Sequence, residues 1–305
     1  MLWTYPDVAL GEAAWIDLLD PSDEETQRVR NATGLRVPTR HEVSEIESSS
    51  RLGFEDDAYY VSTPLVTRMS DGELELAPVG FALSGSVLLT VRFTVIGALE
   101  EARTACEKAH DATAEAAFLR ILEVVVDRAA DGLERAGSEC DALSRVVFRE
   151  RGSATEGPRG ALRQIGAISN RTSHIREALL GVGRIAAFVT ESARPGAPPL
   201  DAARMKAVRT DIASLTDFET RLSATVQFVL DATLGFINIE QNEIVKTLTI
   251  ASVVGIPPVL VAGIYGMNFH VMPELSWPLG YPMALFLIVV SGVIPLLWFK
   301  RRGWM

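Results

Sequence analysis

The chain has 305 residues, enough for one large domain or two ordinary ones, and at 48% hydrophobic and 22% charged residues it can build a core. Its formal net charge is −10, and the first hundred residues alone hold 17 Asp+Glu against 7 Lys+Arg. That balance argues against a nucleic-acid partner, which needs clustered Lys and Arg, and suits cations, although an acidic surface also serves plain solubility. Cys106 and Cys140 are isolated and the four histidines lack ligand spacing, which excludes a disulfide framework and argues against a structural zinc site.

The N-terminal "MLWTYPDVAL" has neither a basic region nor an apolar run, so it does not read as a secretory signal. Residues 1–112 read as an α/β domain. "WIDLLDPSDEETQRVRNATG" predicts a short strand and then a helix capped by Asp20 or Ser22, with acids in its first turn. "AYYVSTPLV", "GFALSG" and "VLLTVRF" predict strands, the last two joined by a hairpin at Gly85-Ser86. Residues 113–199 carry two helical stretches, separated by a turn in "ERGSATEGPRG" and ended by the prolines of "SARPGAPPL". From Leu200 to Ile256 there is no proline, and Gly235 and Gly255 are only mild breakers. A continuous helix there would be roughly 85 Å long, a stalk over 200–247 that leads into an apolar segment. Two or three antiparallel helices are the alternative, but no turn signal marks them.

Residues 248–267, "LTIASVVGIPPVLVAGIYGM", and 281–299, "YPMALFLIVVSGVIPLLWF", are free of charge. Each is long enough at ~1.5 Å per residue for the ~30 Å hydrocarbon layer. A buried hairpin in a soluble protein is the competing reading; two such runs favour membrane spans. Lys246 precedes the first run, and Lys300, Arg301 and Arg302 in the tail 300–305 follow the second; the loop 268–280 has no Lys or Arg. The positive-inside rule then places both termini in the cytoplasm. Trp277, Tyr281, Trp298 and Trp304 sit near the boundaries, as interfacial aromatics do.

Asn238, Asn242, Thr249 and Ser252 recur at helical spacing, and the row continues through Ile256, Val259, Gly263 and Gly266. Polar groups facing lipid are costly, so this face should meet protein or water; it serves either helix packing or the lining of a pore. Two spans cannot enclose a watery path, so a pore requires a symmetric ring of copies.

Tyr265-Gly266-Met267-Asn268 resembles the YGMN signature of CorA-type magnesium/cobalt transporters. "GFINIEQNEIVK", "SVVGIPPVLVA", "MPEL", "GYPMAL" and "WFKRRGWM" are similar, in order and spacing, to segments of the enterobacterial branch, as are "WIDLLDPSDEE" and "EIESSSRLGFEDD". The resemblance covers nearly the whole chain. It implies no enzyme but a homopentamer in a bacterial inner membrane, with an α/β cytoplasmic funnel domain, long helices and two C-terminal spans. Mg²⁺, with Co²⁺ and Ni²⁺, would be the cargo, and cytoplasmic Mg²⁺ the regulatory ligand.

By position, the resemblance puts Gly266, Met267 and Asn268 at an outer ion ring and Asn242 near the inner end of the pore. It makes Leu248 and Ile256 apolar constrictions. Neutral oxygens on Asn268 and Gly266 would hold a hydrated Mg²⁺ weakly enough to release it. Read without the family, Gly266 and Asn268 make a helix C-cap. Glu274 would add negative charge at the mouth. His270 stands where the family often has an acid and makes that charge depend on pH; Val259 stands where relatives often have Thr. His270 also motivates a ZntB-like zinc transporter, since imidazole suits Zn²⁺. A membrane-anchored sensor or scaffold without transport is the reading from another class. Asp211, Asp217 and the Glu55-Asp56-Asp57 run are candidate regulatory Mg²⁺ ligands; each also reads as solvated surface.

Overall fold

The computed structural model describes residues 1–45, 51–68, 74–109, 111–148, 157–191, 200–268, 270 and 272–304. It divides into two units, Met1–Leu230 and Asp231–Met305.

The first unit is built on a six-stranded sheet of β1 (Leu2–Tyr5), β2 (Trp15–Leu19), β3 (Leu52–Glu55), β4 (Ala58–Arg68), β5 (Leu74–Leu83) and β6 (Leu88–Arg92), ordered β1-β2-β6-β5-β4-β3. Only β2 and β6 pair parallel. Alternation sorts the side chains to two faces. Trp15, Tyr59, Val79 and Phe81 join the larger core, with α3 (Gly97–Glu107), α4 (Ala114–Phe148), α5 (Gly157–Glu191) and the first part of α6 (Ala202–Tyr265). Ile16, Leu18, Leu89 and Val91 join the smaller core under α1 (Asp23–Thr33). The short α2 (Arg40–Ser44) lies on that side, with Val43 so close to Gly80 that an added Cβ would come within 2.6 Å of it.

Ser22, not Asp20, starts α1. Its hydroxyl accepts from the Glu25 amide at 3.2 Å while the Glu25 carboxylate accepts from the Ser22 amide at 3.0 Å, a reciprocal capping box. Thr39 and Glu42 repeat the device at α2. The hairpin expected at Gly85-Ser86 joins β5 to β6, closed by Ser84 N–H donating to the Val87 carbonyl at 3.0 Å. The strand expected from "GFALSG" starts earlier, at Leu74. Pro78 masked it: it faces Pro64 across the β4–β5 ladder, and each proline lies past the end of the next strand outward, where no donor is required. The ends of β4 and β5 therefore run on as a two-stranded ribbon. β1, β3, α2 and α3 carry no pattern that the sequence reading recognised.

Residues 149–156 and 192–199, where a turn and a proline break were expected, lie outside the described residues, and α5 already includes the Gly157-Pro158 end of the expected turn. No antiparallel turn interrupts α6, which passes through Gly235, Gly255, Pro257 and Pro258 as a helix.

A buried ionic cluster ties the parallel strands to α3. Arg92, fully buried, donates to Asp17 at 2.6 Å and to Glu100 at 2.5 Å, while Thr90 donates to Asp17 at 2.6 Å and accepts from the Trp15 indole at 3.0 Å. Burial alone would ease the proton off Arg92; the Asp17 and Glu100 carboxylates outweigh it and hold the guanidinium above its ordinary value. Breaking such a pair strands a buried charge.

On the opposite flank α5 lies directly on β4. A Cβ at Gly181 would fall 1.8 Å from the Thr63 Oγ1. Gly181→Ala is therefore expected to cost about 1–3 kcal/mol of stability, and Thr63→Ala in the same chain should recover much of it; thermal unfolding of the two single variants and the double variant measures the coupling.

Candidate ion path and its acidic neighbours

In the second unit the last part of α6 runs antiparallel to α7 (Gly280–Arg301), meeting it where Gly292 faces Pro258. Pro257 and Pro258 cannot donate, which frees the carbonyls of Val253 and Val254 within α6. Gly292 of α7 meets that spot, its missing Cβ only 3.3 Å from the Pro258 side chain and 3.7 Å from the Val254 oxygen. At one end of the pair the Lys246 ammonium sits 5.8 Å from the Trp304 ring, Trp304 stacks on Phe299 at 5.4 Å, and Arg302 lies 4.8 Å over Trp298. Every Lys and Arg of this unit is at that end: Lys246, Lys300, Arg301 and Arg302.

The other end is the loop. A single 3-10 turn, Pro273–Ser276, leads back to α7. Gly280 is buried so tightly that a Cβ would lie 2.1 Å from the Glu274 carbonyl oxygen. Gly280 and Gly292 thus set the loop and the helix spacing. Sequence reasoning passed over both, although glycines in an apolar helix are the usual sign of close approach. The side chains of Glu274 and His270 are exposed.

At the end of α6 the Gly266 amide still donates to Ala262 at 2.9 Å and Met267 tightens to a three-residue bond, to Ile264 at 3.3 Å. Among the described residues only Gly34 and Gly303 are glycines with positive φ, and neither Met267 nor Asn268 has one. α6 thus ends directly before Gly266, at the place the C-cap reading gives, but without a left-handed residue. Gly266, Met267 and Asn268 are all exposed at the helix end.

At ~100° per residue, the row Asn238, Asn242, Thr249, Ser252, Ile256, Val259, Gly263 and Gly266 spreads over roughly 80° to 200° around α6 from Pro258, which touches α7. All are exposed in the single chain except half-buried Ser252, and Leu248 beside the row is exposed too; Ile256 is 63% and Val259 71% accessible. Packing against α7 does not explain this face. Nor do its hydroxyls require a partner: Thr249 donates to Val245 at 2.8 Å and Ser252 to Leu248 at 2.9 Å, both within their own helix. The burden of polarity falls on Asn238, Asn242 and the helix end. None of the eighteen most apolar residues of α6 is buried, which removes the reading as a soluble hairpin core.

The acidic candidates belong to the first unit and separate by role. Asp56 and Asp57 form the β3–β4 turn with φ of 48° and 59°, a left-handed conformation that Asp tolerates. Glu55 lies 4.0 Å from Arg36. Asp211 and Asp217 are exposed on α6. Asp211 faces carboxylates of α4: burial, then Glu123, Asp131, Asp211 and Glu101, push the Asp127 carboxyl above its ordinary range. Among the described residues no three His, Cys, Asp or Glu stand in metal-binding geometry.

The CorA-like Mg²⁺ transporter model matches residues 11–301. Magnesium transport protein CorA of Sodalis glossinidius is 34% identical over 296 residues, covering 96% of this chain and 92% of the relative. That of Escherichia coli K12 is 34% identical over 303 residues, covering 97% and 93%. Among solved structures, the CorA magnesium transporter of Methanocaldococcus jannaschii superposes with a TM-score of 0.75 at 20% identity, over 98% of this chain and 94% of the other. The full-length CmaX protein gives 0.70 at 15%, over 94% and 87%. At those identities the structural likeness is one of fold.

Two outcomes follow. Gly292→Leu should push α7 off Pro258 and lower the thermal midpoint of the detergent-purified protein by several degrees, about 1–3 kcal/mol of overpacking. Asp127 ionises less readily when folded, so its charge opposes folding above the raised value, and that penalty is lifted as pH falls through it. Asp127→Asn should therefore raise the midpoint by about a degree or two at neutral pH, with the gain shrinking toward the ordinary carboxylate range; melting curves across pH read both.

Proposed function

Since the chain belongs to the CorA-like Mg²⁺ transporter family, we propose that it is a passive channel for Mg²⁺, and with it Co²⁺ and Ni²⁺, in a bacterial inner membrane. A ring of copies, five by family resemblance, surrounds the path, with the Asn238–Gly266 row of α6 turned to the axis and both chain termini in the cytoplasm. The observation that carries this reading is the unburied α6, apolar over its last turns and ending in Gly266-Met267-Asn268, within a family match that spans 11–301.

Mg²⁺ sheds its waters reluctantly and is best held through them. Asn268 amide oxygens and Gly266 carbonyls offer neutral acceptors to the hydrated ion, so capture is weak enough for release. Leu248, Ile256 and Val259 form dry constrictions below. The loop repels no cation, since it has no Lys or Arg, and Glu274 adds negative charge. An inside-negative potential supplies about 2.3 kcal/mol per charge per 100 mV. Acidic faces of neighbouring copies, with Asp211 and Asp217 as candidates, repel one another until cytoplasmic Mg²⁺ bridges them and holds the ring shut. The raised Asp127 carboxyl beside Asp211 supports that role for the α4–α6 face; the turn geometry of Asp56 and Asp57 argues against one for them.

The test is Mg²⁺ entry into liposomes carrying the full chain, read by an encapsulated dye. Wild type is expected to pass Mg²⁺, and Asn268→Ala to reduce entry about tenfold or more, the loss of one direct ligand ring. Undiminished flux in that variant removes Asn268 from the ring. Zn²⁺ entry that outcompetes Mg²⁺ would favour the zinc reading raised by His270. Mg²⁺-dependent protease protection without flux of any ion would make the protein a membrane-anchored sensor.

A further inference from the structure

The first unit holds a cavity of about 570 Å³ that the ion path does not use. Its walls are the protruding ends of β4 and β5, the start of α3, and the facing sides of α4 and α5. Leu65, Leu74, Val95, Val125 and Ile175 give it an apolar floor. Four arginines line it as well, Arg68, Arg128, Arg135 and Arg171, against one acidic residue, Glu139. That convergence runs against a chain with a net charge of −10.

Two of the four are neutralised. Arg171 binds Glu139 through contacts of 2.8 and 2.9 Å, and Arg128 binds Glu101 at 2.9 Å. Arg68 and Arg135 have no carboxylate partner among the described residues; Arg135 donates only to the Asp131 carbonyl of its own helix, at 3.2 Å. Among the described residues, two of the four arginines are thus paired with a carboxylate and two are not. Gly97 opens the same corner: a Cβ there would lie 2.9 Å from the Arg128 Nη2, so the absent side chain is what lets that guanidinium lie over the start of α3. Ile96, the residue before it, supplies no side-chain cap.

We propose that this cavity binds a phosphorylated small molecule. Its phosphate lies between Arg68 and Arg135, with Arg128 and the start of α3 alongside, and its less polar body lies on the Leu65–Val125–Ile175 floor. The volume is that of a small-ligand site. Two arginines without a carboxylate partner among the described residues suit a phosphate group, whose oxygens guanidinium forks bind in pairs. Recognition is by side chains rather than by a glycine-rich phosphate loop. The site goes beyond the ion path and its occupancy is read without any ion flux.

Calorimetric titration of the full-length protein in detergent, at fixed saturating free Mg²⁺, tests it with AMP, inorganic phosphate and citrate as probes. AMP is expected to bind once per chain, phosphate to displace it weakly, and citrate not to displace it. Arg68→Ala and Arg135→Ala, both exposed side chains, should keep the wild-type melting temperature and each weaken AMP binding about tenfold or more. Val95→Trp, which fills the cavity from an exposed position, should abolish it. Folded wild-type protein that takes up no AMP overturns the proposal, as does AMP binding that both arginine variants leave unchanged. Citrate displacing AMP more strongly than phosphate does overturns the phosphate assignment.

Discussion

Apolar surface that nothing in the chain covers governs this protein. The helix pair α6 and α7 exposes Leu248, Ile256, Val259, Leu260, Phe286 and Val289 along its length, and none of the most apolar eighteen residues of α6 is buried. At ~25 cal/mol per Å², leaving such side chains in water is costly. Within a bilayer the demand reverses: lipid accepts the apolar surface, and every backbone polar group must be satisfied internally. The two helices meet that demand with i−4 bonds, with hydroxyls of Thr249 and Ser252 turned back on their own carbonyls, and with a glycine of α7 beside the carbonyl that Pro258 frees.

That economy gives the exposed face of α6 its meaning. Once Thr249 and Ser252 are satisfied locally, Asn238 and Asn242 remain as strong hydrogen-bonding groups on a face pointing away from α7. The helix end adds Asn268 and carbonyls whose donors have run out. Asn238 and Asn242 lie before the uncharged run 248–267, where water can meet them, and Asn268 lies just past its other end.

Charge is arranged by the opposite logic in the first unit. Asp17 and Arg92 are withdrawn from water and join the two parallel strands, and Arg92 reaches Glu100 to fix them to α3. On the α4–α6 face, burial and after it the nearby carboxylates push Asp127 above its ordinary range. Arginines gather instead around the cavity between the β4–β5 ribbon and α4. A chain with an overall deficit of positive charge therefore keeps a basic cavity and an acidic helix face within one unit.

Local pattern alone settled much of this. The two uncharged runs, the capping box at Ser22 and Glu25, the hairpin at Gly85-Ser86 and the unbroken helical stretch from Leu200 are written in short-range chemistry, and the Gly266-Met267-Asn268 motif with its flanks carried the family. Tertiary structure decided what depends on residues far apart. Pro64 and Pro78 look like strand breakers until they are seen opposite each other beyond the neighbouring strands. Gly181, Gly280 and Gly292 are small because Thr63, the Glu274 carbonyl and Pro258 stand against them. Asp56 and Asp57, two of the acidic candidates, form the β3–β4 turn, and α6 ends directly before Gly266 without a left-handed residue. Four arginines from β4, α4 and α5 have no common sequence signature. Periodicity reports which face of an element is apolar, whereas close approach and charge convergence arise only when folding sets distant segments side by side.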